Sequence, residues 1–206
     1  MTNNKRELSK EEIENLNRHY YQIAKLEIFK GIELCRVNAK SQFNSALKLE
    51  TDNYGLANSL MILSAEECIK CFVLLGVYLN VQVPFEISPI FSRHPAKHVR
   101  GKELNGFVKT LSLLLGSFAS KKGERIKSIL GLVFEMFGGS DEIEWWDNAN
   151  TEKNKGLYVD FRNEQFHSPL EFTLTTYKTS KEIVSRFVRL TDKIESLNPE
   201  DYKFLH

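Results

Sequence analysis

Little in this chain points to a specialised environment. Its formal net charge is only +1 over 206 residues, so no global field draws it to nucleic acid or a membrane surface. Cysteine is scarce. Cys35, Cys68 and Cys71 sit inside apolar helical patterns and form no paired framework, the usage of small buried thiols in a reducing compartment. Cys68-Ile69-Lys70-Cys71 has C-x-x-C spacing, but a second pair for zinc and a βαβ context for redox chemistry are both missing. A Gly-rich phosphate loop is missing too. Gly138-Gly139 and the isolated glycines make neither a P-loop nor a dinucleotide fingerprint, which argues against ATP- or NAD-dependent chemistry, and no cofactor is expected. The most apolar stretch, Leu60 to Val83, is interrupted by Glu66, Glu67 and Lys70, and the uninterrupted remainder is too short to span a bilayer. Met1 to Glu7 is polar and shows no signal-peptide pattern. Internal repeats and low-complexity tracts are lacking as well. These absences predict a cytoplasmic protein with no membrane partner.

What is present is helix. About 42% of residues are apolar, enough for a substantial core. Ser9 with Glu12 three residues on is a capping-box pattern, and Ile13, Leu16 and Tyr20 follow at helical spacing. A longer helix is predicted from about Gln22 to Leu49, with Ile28, Ile32, Cys35, Ala39, Phe43, Ala46 and Leu47 on one stripe. Asp52-Asn53-Tyr54-Gly55 reads as a turn. The next helix, from about Leu56 to Tyr78, is apolar nearly all round, which makes it central. Pro84 and Pro89 break the pattern. Apolar helical runs return at Phe107–Phe118 and Ile126–Phe137, the latter ending at Gly138-Gly139. Ser140 to Lys155 reads as polar and turn-rich, with Trp145-Trp146 embedded. A short β-like piece spans Gly156 to Phe161, and a last amphipathic helix runs from about Thr173 to Leu197. Five or six helices with almost no strand signal predict an all-α bundle. The expected organisation is a helical arm over residues 1–21, a helical domain over 22–197 and a tail over 198–206.

Charge is segregated. Nine Lys or Arg stand against Glu103 and Glu124 between Arg93 and Lys127, either a solvated face or a phosphate-facing patch. Arg93, Arg100 and Lys102 are its candidate RNA contacts. From Glu135 to Asn150 there are five acids and no bases. Exposed there, Trp145 and Trp146 are candidate anchors for a protein partner; buried, they are a lid over the core.

Three constellations can carry chemistry. On the central helix, Glu66 and Lys70 stand at i and i+4 in the favourable order and are expected to pair. Glu67 points about 100° away and needs another partner. Such a network either fixes helix register or lines an active-site groove. The second is His94-Pro95-Ala96-Lys97-His98, where two imidazoles and an ammonium within one turn can transfer protons beside a phosphate. A zinc site there lacks further ligands by spacing, and Lys97 disfavours a cation; no metal is expected. The third is Arg162-Asn163-Glu164-Gln165-Phe166-His167. It matches the R-x(4–6)-H pattern of HEPN-type ribonucleases, in which His moves a proton and Arg stabilises the pentacoordinate phosphate. On a regular helix these two side chains stand about 140° apart, so they converge only in a loop or across a dimer.

Several segments, in order, resemble the AbiV family of abortive-infection proteins, within the HEPN superfamily. They are Asn38-Ala39, the Leu60 to Lys70 stretch with its A-x-E-E-x-x-K pattern, Phe91 to His98, and Lys155-Gly156-Leu157-Tyr158-Val159-Asp160 followed by Ser168-Pro169. The likeness covers about residues 24–197. It implies a HEPN-like helical bundle and a phage-defence effector that shuts down translation or damages RNA in the infected cell. It also implies a homodimer and a phage-encoded activator protein. The catalytic candidates are His94, Lys97, His98, Arg162 and His167, with Glu66, Glu67, Lys70, Tyr158 and Asp160 as a supporting network. The alternative is a non-catalytic dimeric module that binds a phage or translation protein.

Overall fold

The computed structural model describes residues 8–92 and 140–195. The helical runs expected at Phe107–Phe118 and Ile126–Phe137 and the whole basic stretch from Arg93 to Lys127 lie outside the described residues.

Helix α1 (Lys10–Tyr21) starts at the expected capping box. Ser9 Oγ accepts from the Glu12 amide, and the Glu12 carboxylate accepts from the Ser9 amide. Two orphan donors of the first turn are thereby satisfied. The helix is fastened to the segment 81–87 by two polar clasps. Buried Asn17 donates to the Phe85 carbonyl at 2.8 Å and accepts from the Ile87 amide at 2.9 Å. Tyr21 donates to the Val81 carbonyl at 3.0 Å and accepts from Val83 at 2.9 Å.

Helix α2 (Lys25–Lys48) buries the expected stripe of Ile28, Ile32, Cys35, Ala39 and Ala46. Helix α3 (Tyr54–Tyr78) opens at Asn53, whose side chain accepts from the Leu56 amide at 2.9 Å. It is buried nearly all round because α2 packs on one side and later helices on the others. A five-residue helix, α4 (Ser88–Ser92), follows the proline-containing segment.

The polar Ser140 to Lys155 stretch corrects the sequence reading. It is not a turn-rich loop but helix α5 (Ser140–Leu157). Its inner face is thin, with Trp146, Ala149, Lys153 and Gly156 at three- and four-residue steps buried against α3 and its neighbours. Gly156 and Leu157 still belong to this helix, so the β-like piece begins later than expected. Strands β1 (Asp160–Arg162) and β2 (Gln165–His167) form an antiparallel ribbon, pairing Asp160 with His167 and Arg162 with Gln165. A 3-10 turn (Pro169–Glu171) has its own capping box from Ser168 and Glu171. Helix α6 (Leu174–Glu195) then returns along α3 and α2. The described residues form an all-α bundle with one small ribbon. Among them no helix is long and apolar enough to cross a membrane.

Helix α3 crosses α5 at close range. A Cβ on Gly156 would lie 2.2 Å from the Gly55 carbonyl oxygen and 2.3 Å from Ser59 Oγ. Only glycine allows the two backbones this near. Ser59 uses the proximity, donating its hydroxyl toward the Lys153 carbonyl at 2.8 Å and the Gly55 carbonyl at 3.0 Å.

Candidate functional site

The charged side chains of the central helix divide between two environments. Glu66 does not pair with Lys70 as the i, i+4 rule predicts. Its carboxylate meets Lys153 of α5 at 2.5 Å, with both side chains buried. Lys70 instead takes Glu67, one turn back, at 2.5 Å. The local rule misses this because the partner is supplied by tertiary packing, 87 residues along the chain. Neither glutamate lines the pocket described next.

All three cysteines are free and buried. Burial pushes the Cys68 and Cys71 thiols well above the ordinary thiol range. Thiols held protonated in this way are poor nucleophiles, and the C-x-x-C spacing carries no redox chemistry.

One described pocket, of about 320 Å³, contains a predicted catalytic residue. Its walls come from four elements: Glu152 and Lys155 of α5, Asn163 and His167 of the ribbon, Glu171 of the 3-10 turn and Thr173 before α6. The outward face of α5 thus serves the pocket, while Lys153 and Gly156 on its inner face hold the helix to α3. The Glu66–Lys153 pair therefore supports the site through α5 without touching it.

Within the pocket, His167 Nδ1 lies 3.3 Å from Glu171 Oε2. Glu171 is itself held, since its other oxygen accepts from the Ser168 amide at 3.0 Å. A carboxylate placed so orients an imidazole and leaves Nε2 to exchange a proton. Across the pocket, Lys155 Nζ pairs with Glu152 at 2.6 Å. Glu171 was missed by sequence reasoning, although Ser168-Pro169-Leu170-Glu171 carries the capping pattern that could have found it. In the sequence Lys155 stands out only as the flank of the Gly156–Asp160 segment.

The ribbon answers how positions 162 and 167 come together. The turn at Asn163-Glu164, not a helix, brings them back antiparallel. Directly opposed residues share a face, and so do residues two apart on one strand. Positions 160, 162, 165 and 167 therefore fall on one face of the ribbon, two rungs from end to end. Asp160 is half-buried there and Tyr158 is exposed. Nothing beyond the backbone is described for Arg162. His94, Lys97 and His98, with Arg93, Arg100 and Lys102, lie outside the described residues. Among the described residues no group of three His, Cys, Asp or Glu side chains is placed to hold a metal.

The tryptophans take one of the two places that the sequence left open. Trp146 is buried and meets Phe187 edge-on at 5.8 Å between ring centroids. Trp145 is half-buried and donates its indole N–H to Ser180 Oγ at 2.8 Å. They are a lid on the core, not exposed anchors. The exposed aromatics are on the ribbon instead, where Phe161 and Phe166 stand in contact on the face opposite His167, 59% and 76% exposed.

In comparison with known proteins, residues 27–189 match the family model HEPN_AbiV, described as AbiV. No curated protein matches the chain, and no solved structure does.

Proposed function

The chain belongs to the AbiV family of HEPN domains, whose members serve abortive-infection phage defence, and from that premise we propose that it is the effector that stops translation in the infected cell by cutting RNA without a metal ion. The observation that carries this reading is the His167–Glu171 pair in the wall of a pocket that also holds the Lys155 ammonium. In the proposed reaction His167 removes the proton from a ribose 2′-hydroxyl. The 2′-oxygen attacks the adjacent phosphorus, the bond to the 5′-oxygen breaks, and that leaving oxygen takes up a proton. Glu171 keeps the imidazole turned toward the pocket. Lys155 offsets charge on the phosphate as it becomes pentacoordinate, the electrostatic role that the pattern otherwise gives to Arg162.

The test is purified protein with total RNA and with transfer RNA, in chelator, with and without extract of phage-infected cells as a source of activator. Cleavage products ending in a 2′,3′-cyclic phosphate, lost in His167→Ala, are the expected result. Absence of cleavage in every condition, with full phage protection retained by His167→Ala, would defeat the reading.

One observation favours a second reading, in which the chain acts by binding a phage or translation protein. Tyr158, Val159, Phe161, Phe166 and Leu170 are all strongly exposed on or beside the ribbon. Apolar exposure of this density marks interaction surfaces. Under this reading Phe161→Ser with Phe166→Ser abolishes protection while His167→Ala does not, the reverse of the first.

A further inference from the structure

Helix α1 buries one residue fully, and that residue is polar, Asn17. Its apolar Leu16 stays 45% exposed, and Tyr20 and Tyr21 are half-buried. Apolar burial therefore does little to hold the helix down. The two clasps do most of it. Asn17 and Tyr21 stand at i and i+4, on one face of the helix. Between them they take main-chain groups of Val81, Val83, Phe85 and Ile87. Val83, Phe85 and Ile87 turn inward while Gln82 and Pro84 are exposed, the alternation of a strand. Helix α1 thus stands where a neighbouring strand would. Its two side chains offer the donors and acceptors that a strand edge requires. We propose that α1 is a releasable strap, which lifts from the 81–87 edge as one unit while the bundle stays folded.

The physical chemistry of the contact suits release. Hydrogen bonds of this kind have a modest net worth, because water replaces them when the helix lifts. The freed carbonyls and amides of 81–87 meet solvent and are not left orphaned in the core. The two clasps let go together, since both side chains ride on adjacent turns of one helix. Three residues, Gln22 to Ala24, join α1 to α2, and Ala24 gives α2 no side-chain cap that the motion would have to break.

The strap also reaches the root of the basic stretch. Tyr20 stacks on Phe91 with ring centroids 6.3 Å apart, and in the sequence the basic run starts two residues later, at Arg93. Release therefore frees the 81–87 edge and Phe91 together. It leaves the His167 pocket alone, because no wall of that pocket comes from α1 or from residues 81–92. Helix α1 lies outside residues 27–189, which match the family model, so the family likeness does not supply the strap. The inference does not depend on the RNA reading.

The experiment is native-state hydrogen exchange of the full chain in low concentrations of urea, read at single amides. The Val83 amide is held by Tyr21 and the Ile87 amide by Asn17, so each clasp carries its own probe. In wild type both amides should exchange through one shared opening with a small urea dependence. That opening should be easier than the one that exposes Ile62 and Ile69, buried on α3. Tyr21→Phe removes one clasp and should speed exchange at Ile87, whose own acceptor is unchanged, by about tenfold to a hundredfold. Asn17→Ala should do the same at Val83. If Val83 and Ile87 exchange only together with α3, or if either variant quickens only the amide that it held, α1 does not lift as a unit and the proposal is overturned.

Discussion

The Glu66 carboxylate and the Lys153 ammonium meet at 2.5 Å with side chains 1% and 5% exposed, so the central helix is tied to α5 by an ion pair inside the core. Removing one partner leaves a buried charge uncompensated, a loss of about 3–5 kcal/mol. Lys153→Met should therefore lower stability to urea by that order. Adding Glu66→Gln should restore a large part of it, because the buried carboxylate that lost the Lys153 ammonium is then neutral. Equal loss in the single and double variants would show that other contacts of these residues dominate.

That pair also marks where the sequence was legible. The Ser9–Glu12 capping box and the α2 stripe could be read because every partner lies within one or two turns. The Lys153 contact could not, since nothing near Glu66 in sequence announces a cation supplied from α5. Helix α5 was misread for a related reason. Asp147-Asn148-Ala149-Asn150 looks like loop composition, and the face it buries consists of one Trp, one Ala, one Lys and one Gly. A face so poor in large apolar residues gives almost no periodic signal. His167 was legible as a spacing, but the pocket around it depends on a ribbon and a 3-10 turn that only the fold assembles.

Gly156 is the next test of that crossing. Its added Cβ would collide with the Gly55 carbonyl and with Ser59, and backbone cannot swing aside as a side chain can. Gly156→Ala should cost about 3 kcal/mol, the upper end of ordinary overpacking. Gly31→Ala on α2 is the control, since there the new methyl meets only the flexible Leu74 side chain at 3.0 Å. It should change stability by less than about 1 kcal/mol. Chemical denaturation of both variants decides the point.

Glu50 links stability to pH. Lys181 donates to it at 2.6 Å and Tyr177 at 3.0 Å, and these bonds hold its carboxyl below the ordinary value of 4.5. A carboxyl lowered by folding contributes stability above its unfolded pKa and loses it as pH falls through the folded one. Between about pH 5 and about pH 3 the wild type should therefore lose more stability than Glu50→Gln. Thermal melts across that window, with identical slopes for the two proteins, would contradict the assignment.

In the proposed reaction Glu171 acts through His167. It touches the imidazole at 3.3 Å and is placed by its bond to the Ser168 amide. Glu171→Gln should lower kcat about tenfold to a hundredfold with KM little changed, less than the about 10²–10⁴ that loss of the proton-transfer group itself removes. Its amide can still accept from Ser168, so the 3-10 turn should persist. A rise in KM at constant kcat would instead make Glu171 part of substrate binding.

The ribbon turn offers a change that separates strain from function. Asn163 and Glu164 both have positive φ, 50° and 63°, the left-handed conformation that suits a two-residue hairpin turn. Asn tolerates it, but Glu pays about 1–2 kcal/mol. Glu164→Gly removes that strain, offset by about 0.5–1 kcal/mol for the greater freedom of glycine in the unfolded chain. The amides of β1 and β2 should then exchange with solvent more slowly, by up to about tenfold. Asn163 lines the His167 pocket and Glu164 does not, so the proposed RNA cleavage should be unchanged. If the ribbon becomes more protected and cleavage falls, the strained turn is part of the working site, because a stiffer ribbon then holds His167 away from the reacting ribose.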